Sequence, residues 1–125
     1  MPSYDASFNP PAPIADVIVV HPVTGTSSGA LRGKLDSGAD VTVIPEMLVA
    51  QLSLNPKGYT WTRSYDGTYS RRLLYYVRIV VEGFRLPTVR CIAVNRSDVL
   101  LGRNVLNRFI ITLDGKHLTF ELKDP

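Results

Sequence analysis

Leu35-Asp36-Ser37-Gly38-Ala39-Asp40 stands between two short strand candidates, Ala30–Leu35, which alternates apolar with basic or small residues, and the apolar Val41–Ile44. The acid falls where a strand would end. A hydroxyl follows it, then a glycine that permits a tight turn, then a small alanine. A carboxyl beside an apolar core stays there only if hydrogen bonds hold it. Ser37 can provide such a bond, and the backbone at Gly38 can approach a ligand closely because no Cβ intervenes. Taken alone, the string also fits a plain β-turn in which Asp36 bonds to its own backbone.

A second stretch bears on that choice. Val99-Leu100-Leu101-Gly102-Arg103-Asn104 is an apolar strand, a glycine and an arginine opening a short helix, and Gly102 lies 66 residues after Asp36. This order can hold one guanidinium against a carboxylate. Asp40 is the expected partner of Arg103, because the planar fork of arginine suits bidentate pairing.

Outward from these two stretches the chain reads as β-structure. Residues 1–13 are proline-rich and aperiodic and are expected to form an extended arm. Ala15–His21 is a β-branched run. Pro45 can open a helix over Glu46–Leu52, with an acid in its first turn. Tyr59, Trp61, Arg63 and Tyr65 fall on one strand face, Asp66-Gly67 suggests a two-residue turn, and a long returning arm runs from Tyr69 to Val81. A turn near Glu82-Gly83 leads into Leu86–Val94. Arg103–Phe109 suits one or two helical turns, and Ile110–Leu113, Asp114-Gly115 and His117–Leu122 form a terminal hairpin. Many short strands with regular turns and little helix imply a compact β-barrel or sandwich.

Composition sets limits. The chain has 125 residues, 45% hydrophobic and 20% charged, which suits one domain with a real core. A single cysteine, Cys91, excludes an internal disulfide and a multi-cysteine zinc site. The first residues have neither a basic nor an apolar leader region, and no apolar run approaches the ~20 residues needed to span a bilayer. A cytoplasmic setting and no membrane partner are therefore expected. The formal charge is +3, and Lys57–Arg90 alone carries seven basic residues against Asp66 and Glu82. Aromatic residues interleave with these arginines, a pattern that can stack on single-stranded nucleic acid but more often reflects packing in a sheet. Nucleic acid is accordingly not an expected partner. His21 and His117 are isolated, so no metal and no cofactor are expected.

Together the Asp36 and Arg103 stretches resemble the retropepsin-like aspartic proteases, the retroviral proteases and their single-domain relatives, over roughly Val17–Phe120. The resemblance implies an all-β fold: a small closed barrel-like domain over 14–125 with one or two short helices and a flap hairpin near 59–77, active as a two-fold homodimer. It implies that Asp36 is the catalytic carboxylate, that Ser37 bonds across the dimer axis, and that Gly38 and Ala39 support the site. Asp40 would contact substrate while pairing with Arg103. Leu100 would wall a side-chain subsite, and Tyr65, Asp66 and Gly67 would belong to the flap tip that covers a peptide. The tip lacks the several glycines of retroviral flaps. Val41, Ile44 and Leu101 are further apolar-wall candidates. Asp98, two residues before Leu100, is placed at a pocket mouth where it would favour a basic substrate residue, against a simple turn over Asn95–Asp98.

The implied activity is that of an aspartic endopeptidase, in which two Asp36 carboxylates, one per chain, activate a water to hydrolyse an extended peptide or protein substrate. One Asp-Ser-Gly per chain makes the dimer a requirement of that chemistry. The alternative is a catalytically silent relative that uses the fold to dimerise or to bind peptides.

Overall fold

The computed structural model describes residues 1–64 and 66–125. Strict alternation builds the first strand: Ala15, Val17 and Val19 are fully buried while Asp16 and Ile18 point outward, so Ile14–Val20 forms β1 with one dry face. The remaining elements are β2 (Leu31–Leu35), β3 (Thr42–Pro45), α1 (Met47–Gln51), β4 (Gly58–Arg63), β5 (Tyr69–Val81), β6 (Phe84–Val94), β7 (Val99–Leu101), α2 (Arg103–Leu106), β8 (Ile110–Asp114) and β9 (Thr119–Lys123).

The main sheet runs β1-β2-β7-β3-β6-β5-β4, and β1 also pairs with β5. That extra pairing closes β1, β2, β7, β3, β6 and β5 into a ring, so that β1 is no longer an edge strand. β4 hangs from β5 as the outer arm of a ribbon, and β8 and β9 form a separate hairpin. Inside the ring Val17, Ile44, Val77, Ile79, Val81 and Leu101 are sealed from solvent, and Phe120 of β9 is sealed with them. Each such side chain contributes about 1.5–3 kcal/mol by leaving water. Gly33 makes the closure possible at β2: a Cβ there would stand 2.3 Å from Val17 Cγ2 and 3.2 Å from Leu101 Cδ1.

Several local expectations change in the fold. Pro45 ends β3 rather than opening a helix, because the next residue continues the pairing with β6: Glu46 N–H donates to the Val94 carbonyl at 2.9 Å. Helix α1 then starts at Met47, with Glu46 only at its cap position. The β4–β5 ladder ends at Arg63↔Tyr69, so the ribbon tip is longer than a two-residue turn, and Gly67 takes a left-handed φ of 88°. β9 begins at Thr119 because Asp114 Oδ1 accepts the His117 N–H (3.0 Å) and holds a wider loop. Residues 1–13 are tied down: Phe120 N–H donates to the Pro2 carbonyl (3.0 Å), Asp5 bridges Ala12, and Arg32 pairs with Asp5 at 3.2 Å. No described helix is long and apolar enough to cross a membrane.

Candidate active site

The Asp36 loop begins where two distant strands meet. β2 lies parallel to β7, Leu35 opposite Leu101, and Asp36 N–H donates to the Leu101 carbonyl at 3.0 Å. The chain then leaves the sheet. Asp36 Oδ1 accepts the Gly38 N–H (2.9 Å), and Ala39 N–H returns to the Asp36 carbonyl (3.3 Å), which closes the turn. A Cβ on Gly38 would sit 3.2 Å from that same Oδ1, so glycine leaves the carboxylate room. Asp36 is half-buried and Ser37 and Gly38 are exposed.

Arg103 fastens the loop from below. Its backbone N–H donates to the Ala39 carbonyl (2.8 Å), Nη1 donates to the Ser37 carbonyl (2.7 Å), and Nη2 meets Asp40 Oδ1. The fit depends on Gly102, where a Cβ would fall 2.6 Å from the Val41 carbonyl carbon, a backbone atom that cannot step aside. Sequence reading missed the layer beneath. Thr42 is fully buried, and both its hydroxyl (2.8 Å) and its N–H (3.1 Å) donate to Asn104 Oδ1. The Thr42 hydroxyl oxygen accepts the Gly102 N–H (3.2 Å), while Asn104 Nδ2 donates to the Arg90 carbonyl (2.7 Å). A threonine in an apolar strand and the asparagine after Arg103 were the available signals.

Two hollows flank the loop. A cleft of ≈800 Å³ has Gly38, Ala39 and Asp40 on one wall, with Val41 and Val43 beside them and the β4–β5 ribbon opposite. On the other side Ser37 borders a smaller groove of ≈330 Å³, walled largely by Leu35, Leu106, Phe109, Ile111 and Leu113. The loop thus separates a mixed polar cleft from an apolar surface.

A family model described as gag-polyprotein putative aspartyl protease matches residues 28–108, a span that contains both the Asp36 loop and Arg103. The chain belongs to this family. No curated protein sequence matches it. Three solved structures show the retropepsin fold shared with it. The simian foamy virus (mac) protease is 20% identical, with a TM-score of 0.56 over 76% of this chain and 92% of that one. The EIAV protease in complex with the inhibitor HBY-793 is 22% identical, with a TM-score of 0.56 over 77% and 86%. A retropepsin-like aspartic protease from Rickettsia conorii is 17% identical, with a TM-score of 0.55 over 89% and 92%.

Within this retropepsin-like domain the other candidate residues are scattered. Asp66 lies at the ribbon tip, where its Oδ1 accepts the Thr68 N–H (2.9 Å); that bond and the Thr68 hydroxyl hold its carboxyl below the ordinary range. Gly67 N–H donates to the Ser64 carbonyl (2.9 Å) beside it. Tyr65 lies outside the described residues. Leu100 is half-buried between Lys34 of β2 and Val43 of β3. Ile44 and Leu101 face the core and are fully buried, so they cannot wall a cleft; Val41 and Val43 do. Asp98 turns its carboxylate to Arg32 Nε at 3.5 Å, within the chain. Burial pushes the Cys91 thiol up to about 12, so it stays protonated and un-nucleophilic. His21 accepts the Val23 and Thr24 N–H groups through Nδ1, a turn-holding role. Among the described residues no group of three or more His, Cys, Asp or Glu side chains is placed to hold a metal ion.

Proposed function

We propose that this chain is an aspartic endopeptidase that works as a two-fold homodimer, with Asp36 of each chain forming one catalytic pair. The observation that carries the reading is the placement of the Asp36–Ser37–Gly38 loop between a cleft and an apolar groove. Leu113 (55% exposed) lines the groove with Ile111 and Phe109, an apolar surface suited to a second copy. A second copy seated there sets two Asp36 carboxylates face to face, with Ser37 at the axis. Two carboxylates that close share one proton, because both cannot ionise together. One then acts as base on the bound water and the other as acid toward the scissile carbonyl; the roles exchange as the tetrahedral intermediate collapses to the carboxylic acid and the freed amine.

The substrate is an extended peptide lying between the loop and the ribbon. Its backbone pairs with Gly38, Asp40 and the tip around Tyr65, Asp66 and Gly67, and alternate side chains enter pockets. Leu100 supplies an apolar wall. Ala39 keeps the loop narrow, and Arg103 holds Asp40 and Ser37 in place. Asp98, already paired with Arg32, would select a basic substrate residue only by exchanging that partner.

The test is cleavage of a diverse peptide mixture from about pH 4 to 7, the range that brackets carboxylate-dyad chemistry. Wild type should cut, and Asp36→Asn should fall to background while keeping its fold and association state. Equal cutting by the two proteins would refute the assignment of Asp36. A dimer that cuts nothing but retains peptides at the cleft would point instead to a binding module.

A further inference from the structure

The ribbon carries a second chemistry on one exposed face. Residues directly opposite in the β4–β5 ladder share a face, and one face consists of the pairs Tyr59–Leu73, Trp61–Arg71 and Arg63–Tyr69. The other face carries Thr60, Thr62, Ser70 and Arg72. Thr60 and Thr62 are half-buried, whereas Tyr59 (58%), Trp61 (67%) and Tyr69 (61%) stand well out in solvent. Three large rings on a two-stranded ribbon are costly to leave wet. The two charged side chains among these six residues are both arginines, and each lies against a ring: the Arg71 guanidinium is 4.3 Å from the Tyr59 centroid and that of Arg63 is 5.8 Å from Tyr69. The exposed acid nearest in sequence, Asp66, lies at the tip with its carboxylate bonded to Thr68.

From this face we infer a binding surface for single-stranded nucleic acid. Residues two apart on a strand are about 7 Å apart, so Tyr59 and Trp61 can take successive unstacked bases as a sheet platform does. Arginines held over the rings supply positive charge for the phosphates and a planar group on which a further base can stack. The surrounding segment favours a polyanion, with Lys57, Arg72 and Arg90 adding to a stretch of net charge +5 from Lys57 to Arg90. Trp61, Arg63 and Tyr69 of this face also border the cleft beside Gly38, Ala39 and Asp40, so nucleic acid held here would compete with the peptide for the ribbon.

Trp61 is the single tryptophan, which makes its fluorescence a local reporter of this face. Short oligo-U and oligo-dT strands titrated into the full chain at low salt should quench it, and a self-complementary duplex, whose base faces are hidden, should quench far less. Oligo-U against oligo-dT shows whether the sugar 2′-hydroxyl is read as well. In anisotropy with labelled oligonucleotide, Trp61→Ala and Tyr59→Ala should each weaken binding at least about fivefold, and Trp61→Phe should restore most of it. Arg71→Ala should lower the slope of log affinity against log salt by roughly 0.7, one phosphate contact on a single strand. The surface is overturned if the strands leave Trp61 unquenched, or if binding persists unchanged in Trp61→Ala and Tyr59→Ala. Equal quenching by poly-glutamate, with the same dependence on Trp61, would also overturn it and assign the face to acidic polypeptides.

Discussion

Thr42 and Asn104 do more for the site than their types suggest. The buried Thr42 hydroxyl donates to Asn104 and accepts from the Gly102 N–H, so removing it leaves the buried Gly102 N–H without a partner and Asn104 Oδ1 with the Thr42 N–H alone. Thr42→Val keeps the shape and loses those bonds; it should lower unfolding free energy by about 1–3 kcal/mol in urea titration. A change well below that range would show that water replaces the hydroxyl. Arg103 acts nearer the surface. Its pair with Asp40 is solvent-exposed and by itself contributes no more than about 1 kcal/mol. Arg103→Ala should therefore cost about 1–2 kcal/mol, mostly through the Ser37 carbonyl bond, and should depress kcat/KM by a larger factor than stability implies. Gly102→Ala should destabilise by about 1–3 kcal/mol because backbone blocks the new methyl, whereas Gly29→Ala, with nothing within 4 Å, should not. The Asp40–Arg103 pair was legible in the sequence because an arginine just after Gly102 could be matched to an acid of the Asp36 loop, whereas that loop alone also read as a plain turn. Thr42 was not, since a threonine in a strand is commonplace until the asparagine it meets, 62 residues away, is known.

At the scale of elements, turns decide how strands return. Glu82 and Gly83 both take positive φ (46° and 82°) and join Val81 directly to Phe84 in a two-residue hairpin, so the turn falls where the sequence suggested and β6 starts two residues earlier than Leu86. Burial, then the nearby Asp16 carboxylate, push the Glu82 carboxyl above its ordinary 4.5. A raised value in the fold means the neutral form is favoured there. Its contribution to stability is present below 4.5 and is lost as pH rises through the folded value. Glu82→Gln should thus melt higher than wild type near pH 7, and the advantage should shrink toward pH 4; an offset independent of pH would remove this account. The tip of the β4–β5 ribbon and the β8–β9 loop were mispredicted in length for a shared reason. An aspartate at each turn (Asp66, Asp114) captures a backbone N–H two or three residues on and stabilises a wider loop than Asp-Gly alone implies. Pro45 was misassigned because a strand–helix junction depends on whether a neighbouring strand offers Glu46 a carbonyl, which local sequence does not record.

For the whole molecule, the closed ring explains why Asp36 is positioned by residues so far away in the chain. β2 and β7 pair in parallel, and such long-range register has no local signature beyond an alternating strand and a short apolar one. The barrel class was legible from the density of short strands, but the strand order was not. The apolar groove beside Ser37 carries the prediction that belongs to this scale. Leu113 is 55% exposed in the single chain, so Leu113→Glu should leave the fold's melting point nearly unchanged. It should nonetheless shift sedimentation to the monomer and abolish peptide cleavage, because a charge would be buried against an apolar surface. Retained activity in a monomeric Leu113→Glu protein would separate catalysis from association. The central claim, that two chains each supply one Asp36, is tested most directly by mixing. Wild type and Asp36→Asn are unfolded together at constant total concentration, refolded, and assayed across mixing ratios. If both carboxylates are needed, activity falls as the square of the wild-type fraction. A fall in simple proportion to that fraction would show that one chain suffices and would contradict the shared dyad.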